Sequence, residues 1–235
     1  VWIETPANPL LSVTDLARVT AIAHEVGALV VCDNTFATPV CQHPFDFGVD
    51  LVVHSGTKYL GGHSDVLSGL VVVREDAVLL DRLKGWQRLA GAVLGPFDCW
   101  LLRRSIATLG VRVRAQCKSA LLVAEYLSSN PALERVYYPG LPQHPGHAVA
   151  AAQMPGGFGA VLSICMAGGY AAAFDATRRT RVFTRATSLG SVESLIEHRA
   201  SIEGPSSRTP QNLLRLSIGI EDTEDLIDDL AQALG

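Results

Sequence analysis

One lysine of this chain stands in a turn whose neighbours suit covalent chemistry. Lys58 follows the apolar run 51–53 in the segment Ser55-Gly56-Thr57-Lys58, so two hydroxyl side chains and a glycine precede its amine. The other two lysines, Lys84 and Lys118, lie in charged or polar helical stretches, where we expect water to solvate them. An amine held between hydrophobic segments has a lowered pKa, because burial disfavours its charged form. Lys58 is therefore the candidate for Schiff-base chemistry, against the alternative of a solvated surface lysine.

The residues before Lys58 also suit an anion. Ser55 and Thr57 supply hydroxyl groups, and the glycine-containing turn leaves backbone N–H groups free to bind phosphate oxygens. The two hydroxyls alone are a weak signal, since serine and threonine are common in turns of every kind. An amine beside a phosphate site predicts pyridoxal phosphate as the cofactor.

Asp33 is the candidate acid for the pyridine nitrogen of such a cofactor. It ends the apolar run 28–32, which is typical of a strand buried on both faces of a parallel sheet, as is the run 51–53. Ligand sites of open α/β sheets form at the carboxyl ends of strands, so we expect Asp33 and Lys58 to lie close together. A carboxylate there favours the protonated ring. The alternative is a helix N-cap or turn aspartate, which is common after strands.

Arg215 is the candidate anchor for a substrate carboxylate. It interrupts the apolar stretch 213–218, where a charged group needs a partner, and a guanidinium can bind a carboxylate through two hydrogen bonds. The alternation of Leu214, Leu216 and Ile218 predicts that Arg215 lies on the face of the strand opposite the core. A strand arginine that points to solvent is an equally open interpretation.

Two other chemistries find little support in the sequence. His54 and His63 flank the lysine turn, but no third ligand stands at a useful spacing, so we predict no metal site. The segment Gly156-Gly157-Phe158-Gly159 precedes a predicted strand instead of joining a strand to a helix. It therefore lacks the arrangement of a nucleotide-binding loop.

Composition narrows the class of protein. The 235 residues are 48% hydrophobic and carry a net charge of −4, which allows a substantial core and argues against nucleic acids and anionic membranes as partners. The apolar runs are far shorter than a membrane span. Five scattered cysteines without a CxxC pair predict reduced thiols and a cytoplasmic protein. Because Val1 lies within a predicted strand, we expect the chain to be part of a longer polypeptide.

Short strands alternate with helices along the chain, which predicts an α/β fold. A helix with a capping-box-like start at Ser12 and Asp15 ends at Gly27. A polar loop is predicted at 204–210. The stretch 138–142, rich in proline and glycine, predicts a boundary between domains 1–138 and 139–235. The remaining predicted elements are strands at 28–32, 51–53, 70–73, 160–165, 182–186 and 213–218, and helices at 76–89, 97–109, 111–128, 148–153, 170–178 and 223–234.

Five segments in this order resemble the cystathionine/methionine-metabolism family of pyridoxal-phosphate enzymes. The family includes cystathionine γ-synthases, cystathionine γ- and β-lyases and methionine γ-lyases. The resemblance implies an aspartate-aminotransferase-like α/β fold (fold type I), of which this chain would form the second half of the large cofactor-binding domain and the smaller C-terminal domain. The matching segments are 4–9, 31–36, 55–65, 188–194 and 214–222, and the lysine segment Ser55-Gly56-Thr57-Lys58-Tyr59-Leu60-Gly61-Gly62-His63-Ser64-Asp65 is the most specific of them.

The resemblance also implies roles for individual residues. Lys58 would be the cofactor-bound lysine and later the proton shuttle, Asp33 would hold the ring nitrogen, and Ser55 with Thr57 would bind the phosphate. The remaining roles concern the substrate carboxylate, which Ser188 and Arg215 would bind. Asn8 would hydrogen-bond either that carboxylate or the phenolic oxygen of the cofactor, and Thr187 occupies a substrate-side position at which family members differ.

The implied activity is γ-elimination on cystathionine or a related sulfur amino acid, as in cystathionine γ-lyases. Within the same class, γ-replacement (as in cystathionine γ-synthases or homocysteine synthases) and methionine γ-lyase activity stay open, because Thr187 and the segment 198–204 depart from the common pattern. From a different class, the chain could be an inactive fragment that acts as an interaction domain. The resemblance favours a homodimer or homotetramer with shared active sites.

Overall fold

A computed structural model describes residues 1–204 and 207–235 of the chain. Pro205 and Ser206, within the predicted loop 204–210, lie outside the described residues. Two β-sheets, one of four strands and one of five, organise the rest of the chain. Within the described ranges, no helix has the length and apolar character that crossing a lipid bilayer requires.

The first sheet carries the lysine segment. Its first three strands are parallel and its fourth is antiparallel to the third. In spatial and chain order the strands are β1 (Trp2–Glu4), β2 (Val31–Asp33), β3 (Leu51–Ser55) and β4 (Gly69–Val73). The predicted strands at 51–53 and 70–73 are therefore present, whereas the strand predicted at 28–32 begins only at Val31.

The helix between β1 and β2 starts later than the sequence suggested. Helix α1 (Leu16–Glu25) begins after Asp15, whose side chain accepts a hydrogen bond from the Arg18 N–H. Asp15 is therefore the N-cap itself, and Ser12 is not part of a capping box. After β2, the chain turns through α2 (Thr38–Cys41) and a 3-10 turn at Pro44–Phe47 before it enters β3.

The register of the first three strands sets the position of the candidate acid Asp33 relative to the lysine turn. Asp33 of β2 lies beside Glu4 of β1 and Val53 of β3; Glu4 and Asp33 end their strands, and β3 continues two residues further to Ser55. The chain leaves β3 at Ser55 and enters the lysine turn directly. Asp33 and Lys58 thus lie at the same edge of the first sheet, as the parallel arrangement predicted.

Three helices follow the first sheet, close to the positions predicted for them. They are α3 (Ala77–Ala90), α4 (Pro96–Ile106) and α5 (Leu109–Leu127). Asp76 caps the first by accepting a hydrogen bond from the Leu79 N–H. Helix α5 is the longest of the three and presents a buried stripe to the second sheet, which includes Val113, Ala120 and Leu127.

The second sheet is mostly antiparallel, with a parallel pair at one edge. Two of its strands, β5 and β8, were not predicted, because charged residues interrupt their apolar pattern. The strands are β5 (Leu133–Tyr137), β6 (Val161–Met166), β7 (Thr184–Arg185), β8 (Leu195–His198) and β9 (Leu213–Ser217), in the spatial order β5-β6-β9-β8-β7. The remaining helices are α6 (His147–Gln153), α7 (Gly169–Arg179), α8 (Arg199–Glu203) and α9 (Thr223–Leu234).

One hydrophobic core joins the lysine turn to the second sheet. Tyr59 and Leu60, which follow Lys58, belong to the same buried cluster as Leu162 of β6 and Leu214 of β9. Burying a leucine side chain of this kind stabilises the fold by roughly 1.5–3 kcal/mol. The buried residues next to Lys58 therefore hold the turn in place. The domain boundary between 138 and 139 stays a prediction.

Candidate active site

The segment after β3 forms a single wide helical turn, Gly56–Leu60, with Lys58 at its centre. The backbone of Lys58 departs from helical values, with φ −88° and ψ −126°. Hydrogen bonds close the turn on both sides of the lysine, since the Gly61 N–H donates to the Gly56 carbonyl at 2.8 Å and the Gly62 N–H donates to the Lys58 carbonyl at 2.7 Å. The backbone that carries the amine is therefore tightly defined.

Gly56 is required because β4 approaches its α-carbon closely. A Cβ at this position would overlap Ser68 Oγ and would lie 2.6 Å from Leu70 Cδ1. The neighbouring Thr57 bonds to the same segment, because its Oγ1 accepts from the Ser68 N–H at 3.0 Å and donates to the Ser68 carbonyl at 3.3 Å. The glycine of the lysine motif thus lets the turn pack directly against Ser68.

Two residues distant in sequence brace the turn from its other side. Arg112 of α5 is buried and donates from Nη1 to the Tyr59 carbonyl at 2.9 Å and from Nη2 to the Ser105 carbonyl at 3.0 Å. Gly190, with φ +76°, packs on Tyr59, where a Cβ would lie 2.8 Å from the Tyr59 nitrogen. Sequence reasoning missed Arg112, whose signal is a lone arginine on the apolar stripe of a helix.

The Lys58 amine points to the segment between the short strands β7 and β8. Its Nζ lies 3.2 Å from Ser188 Oγ, within hydrogen-bonding distance. Burial lowers the pKa of the Lys58 amine, and the positive charge of Arg215 lowers it further, whereas the negative charge of Glu197 raises it. The net effect is a larger neutral fraction of the amine at neutral pH, which a nucleophile needs.

Arg215 does not point to solvent. Its side chain is only 3% exposed, and its guanidinium donates to Asn8 Oδ1 at 3.0 Å and to the carbonyls of Thr187 at 2.6 Å and Ser188 at 3.2 Å. Of the two interpretations that the pattern left open, the buried arginine is present. The alternation rule did not settle the matter because all five residues of β9 are buried, so neither face of the strand is exposed.

The contact with Arg215 also fixes the amide of Asn8. A guanidinium only donates hydrogen bonds, so the Asn8 atom that faces it must be the oxygen Oδ1. Asn8 Nδ2 is then left as a donor on the far side of the same amide. That donor is suited to an oxygen of a substrate or cofactor, which is the role that the family resemblance implied for Asn8.

Glu197 is a site residue that sequence reasoning missed. It lies opposite Arg215 in the β8–β9 register, and its carboxylate forms a buried ion pair with the Arg215 guanidinium. Its exposed fraction is 3%, so neither charge has water to solvate it. The sequence carries no clear signal for it, since Glu197 follows the short apolar pair Leu195-Ile196 and is itself followed by His198 and Arg199.

Asp33 is connected to the start of the lysine turn through one hydroxyl. Asp33 Oδ1 accepts from the Thr35 N–H at 3.0 Å and from Thr35 Oγ1 at 2.6 Å, and Thr35 Oγ1 accepts from the Ser55 N–H at 2.8 Å. Thr35 therefore orients the candidate acid and ties it to β3. Sequence reasoning did not assign this role to Thr35.

The predicted phosphate hydroxyls differ in their surroundings. The Thr57 hydroxyl is already engaged with the backbone of Ser68, which weakens it as a phosphate donor. Ser55 is partly buried at the head of the turn. Ser68 Oγ is buried against Gly56 and has no hydrogen-bond partner among the described residues. The orphaned hydroxyl beside the turn is a donor that an anion could satisfy.

These observations fit pyridoxal phosphate. A neutralisable amine (Lys58), an oriented carboxylate (Asp33) and a buried guanidinium (Arg215) meet the three charge requirements of the cofactor and its amino-acid substrate. A separate cavity of about 750 Å3 lies between residues 10–13, the end of α5 and strand β5, and includes none of these groups. Among residues 1–204 and 207–235, no three His, Cys, Asp or Glu side chains come together as a metal site would require.

Comparison with known proteins shows which protein family the chain resembles. The profile of the family described as Cys/Met metabolism PLP-dependent enzyme matches residues 1–235.

The chain belongs to this family. The resemblance read from the five sequence segments is thereby confirmed, and so is the cofactor that the lysine turn predicted, because Cys/Met metabolism PLP-dependent enzymes use pyridoxal phosphate.

Curated relatives in the Cys/Met metabolism family differ in the reaction that their names state. The cystathionine gamma-synthase of Mycobacterium tuberculosis is 48% identical over 240 residues, and the L-methionine gamma-lyase of Fusobacterium nucleatum is 43% identical over 243 residues. Each alignment covers all of this chain and 61% of the relative. The chain thus spans about three fifths of the length of the relatives it matches.

A solved structure confirms the predicted fold class. The cystathionine gamma synthase of Xanthomonas oryzae pv. oryzae, in complex with cystathionine, superposes with a TM-score of 0.96 at 48% sequence identity. The superposition covers all of this chain and 62% of that one. The chain therefore has the α/β architecture of fold type I pyridoxal-phosphate enzymes.

Proposed function

We propose that this protein is a pyridoxal-phosphate enzyme that cleaves the carbon–sulfur bond at the γ-carbon of a sulfur amino acid such as cystathionine. The observation that carries the proposal is the contact of Lys58 Nζ with Ser188 Oγ at 3.2 Å, beside the buried guanidinium of Arg215. An amine next to a carboxylate anchor is suited to taking a proton from the α-carbon of an amino acid.

The amine and the acid have complementary tasks. When bound, pyridoxal phosphate supplies an electron sink for negative charge on the substrate carbon. Lys58 would hold the cofactor covalently through Nζ, and the same amine would take a proton from the substrate and return it. Asp33, oriented by Thr35, keeps a proton on the ring nitrogen, because its negative charge stabilises the protonated form. The Ser55 hydroxyl would bind the phosphate, with Ser68 Oγ as a further donor. The Thr57 hydroxyl would join them only by giving up its hydrogen bond to the Ser68 carbonyl.

The substrate-side residues orient the carboxylate. Arg215 supplies the positive charge, and its hydrogen bonds to the carbonyls of Thr187 and Ser188 keep that segment close to the lysine. Asn8 Nδ2 and Ser188 Oγ add donors on either side. This arrangement holds the α-carbon near Lys58 Nζ, which converts proton transfer into a step within one complex.

Gamma-replacement is the second candidate function. It is favoured by the 48% identity to cystathionine gamma-synthases, whereas elimination is favoured by the 43% identity to L-methionine gamma-lyases. Both reactions share the early proton transfers at Lys58. They differ in whether a thiol acceptor or water completes the reaction.

An assay on the full-length, cofactor-loaded protein separates the two reactions. With L-cystathionine and no added thiol, elimination releases equal amounts of 2-oxobutyrate, ammonia and cysteine. If the protein is a replacement enzyme, an added thiol suppresses 2-oxobutyrate and a new thioether accumulates. Absence of every product, with cystathionine and with activated homoserine esters, would contradict the proposed function.

The proposal includes an oligomer and a cytoplasmic location. Large apolar side chains on α3 and α4 are exposed, among them Trp86, Leu89, Phe97 and Trp100, and a second copy of the protein would cover such a surface. The five cysteines are free, which supports a reducing compartment. Light scattering on the full-length protein tests the first point, because a homodimer or homotetramer is expected and a monomer would contradict it.

A further inference from the structure

The carboxylate of Glu197 lies between two guanidinium groups. Its Oε2 pairs with Arg215 Nη2, and Arg199 Nη1 lies 3.2 Å from its Oε1 and 3.4 Å from its Oε2. Arg199 is the first residue of α8 and also pairs with Glu203 four residues later, which holds it in place on the helix. Four charged side chains, Glu203, Arg199, Glu197 and Arg215, are therefore linked in series from the surface of α8 to the candidate site.

The partners of Arg215 differ in how rigidly they are held. Asn8 lies in the segment before α1, and Thr187 and Ser188 lie between the short strands β7 and β8. Glu197 alone among these four reaches Arg215 from a neighbouring strand, directly across the β8–β9 ladder. Groups on strands hold a partner more precisely than groups on loops, so Glu197 sets the direction of the guanidinium.

We infer that Glu197 is a positioning residue for Arg215, and that Arg199 in turn holds Glu197. Glu197 touches neither the substrate nor the cofactor in this assignment, and it acts by aiming the guanidinium at the carboxylate of an amino-acid ligand. The inference rests on the proposed function, because it takes Arg215 as the carboxylate anchor.

Charge alone predicts the opposite outcome, which makes the inference testable. Glu197 neutralises part of the positive charge of Arg215, so its removal makes the site more attractive to an anion by electrostatics alone. If Glu197 aims the guanidinium, its removal weakens carboxylate binding in spite of the added positive charge. Glu197→Gln preserves the size of the side chain and removes its charge. In this variant the loss of charge would strengthen carboxylate binding, whereas the loss of positioning would weaken it.

The experiment compares two probes on the full-length, cofactor-loaded protein. L-Norleucine carries an amine and a carboxylate, whereas n-pentylamine is the same molecule without the carboxylate. Calorimetry gives the dissociation constant of each, and their ratio isolates the contribution of the carboxylate. We take the ratio as the dissociation constant of pentylamine divided by that of norleucine. We expect Glu197→Gln to reduce this ratio by about tenfold or more, because norleucine binds more weakly while pentylamine affinity is unchanged.

Three further variants keep the test decisive if Glu197→Gln folds poorly. Glu197→Asp retains the charge but shortens the reach, so a reduced ratio is expected again, whereas a counter-ion without a positioning role would leave the ratio at the wild-type value. Arg199→Gln keeps the Glu197–Arg215 pair and should reduce the ratio only severalfold, with Arg199→Lys restoring most of it.

The outcomes separate this inference from the proposed function. If wild-type protein binds norleucine no better than pentylamine, Arg215 is not the carboxylate anchor and the proposed function fails with it. If wild-type protein prefers norleucine and Glu197→Gln and Glu197→Asp keep or increase that preference, only the positioning role is overturned.

Discussion

Lys58 Nζ and Ser188 Oγ lie 3.2 Å apart although 130 residues separate them in the sequence. The first belongs to the edge of the parallel sheet and the second to the segment that precedes β8. The candidate site is therefore assembled between the two sheets, and the shared core beneath Tyr59 and Leu60 fixes their distance.

Replacement of the lysine should remove chemistry without removing the fold. We expect Lys58→Ala to lower turnover by at least about 10²–10⁴-fold, because both the covalent link and the proton carrier are lost. Circular dichroism should stay that of the wild type, since the Lys58 side chain is only partly buried. Lys84→Ala, at an exposed position on α3, is the matched control and should keep full activity. Near-normal turnover of Lys58→Ala would show that another group carries the reaction.

The acid can be neutralised with little change in shape. Asn at position 33 keeps an oxygen that can accept from the Thr35 N–H and hydroxyl, so Asp33→Asn removes charge more than geometry. We expect turnover to fall by about 10²-fold or more, with an altered absorbance spectrum of the bound cofactor. Asp65→Asn, an exposed position just beyond the lysine turn, serves as the control. Wild-type kinetics and spectrum in Asp33→Asn would exclude the assigned role.

The Lys58 amine should titrate below the 10.5 typical of lysine, because burial and then Arg215 lower its pKa. Only the neutral amine reacts with an electrophile, so its labelling by fluorodinitrobenzene should rise with pH and reach its midpoint below that value. Mass spectrometry of cofactor-free protein resolves Lys58 from Lys84 and Lys118.

Charge variants should move this midpoint in opposite directions. Glu197 raises the pKa of the Lys58 amine, so Glu197→Gln should shift the labelling midpoint to lower pH. Arg215 lowers that pKa, so Arg215→Gln should shift the midpoint to higher pH. Shifts in the same direction, or no shift in either variant, would contradict the described geometry.

A methyl group at Gly56 should test the packing of the turn. Gly56→Ala would overlap Ser68 Oγ and press on Leu70, so we expect a loss of about 1–3 kcal/mol in the free energy of unfolding. Gly85→Ala in α3 meets nothing within 4 Å and should instead stabilise the protein by about 0.5–1 kcal/mol. Urea unfolding of both variants gives the comparison, and equal effects would argue against the tight contact.

Local patterns predicted the parts of the site that follow buried strands. An apolar run that stops at a charged or hydroxyl residue marks a strand end, so Asp33 and the lysine turn could be found without coordinates. The same logic failed for Arg215, because alternation identifies the core face only where the other face is exposed. In the central strand β9, both faces are buried.

Other parts of the site depend on contacts that no local pattern encodes. Glu197 lies in a four-residue strand flanked by polar segments, and β5 carries Glu134 and Arg135 in its middle, so neither strand has a readable period. The hydrogen bonds of Thr57 to Ser68 arise because β4 folds back on the lysine turn. Such partners follow from tertiary structure, which the order of residue types does not specify.

Borohydride reduction of the full-length, cofactor-loaded protein, followed by peptide mapping, tests the central assignment most directly. Reduction converts the imine between cofactor and lysine into a stable bond, so the labelled residue can be sequenced. We predict that the label lies on Lys58 alone and disappears in Lys58→Ala. A label on Lys84, Lys118 or a lysine elsewhere in the protein, or no label at all, would contradict the account.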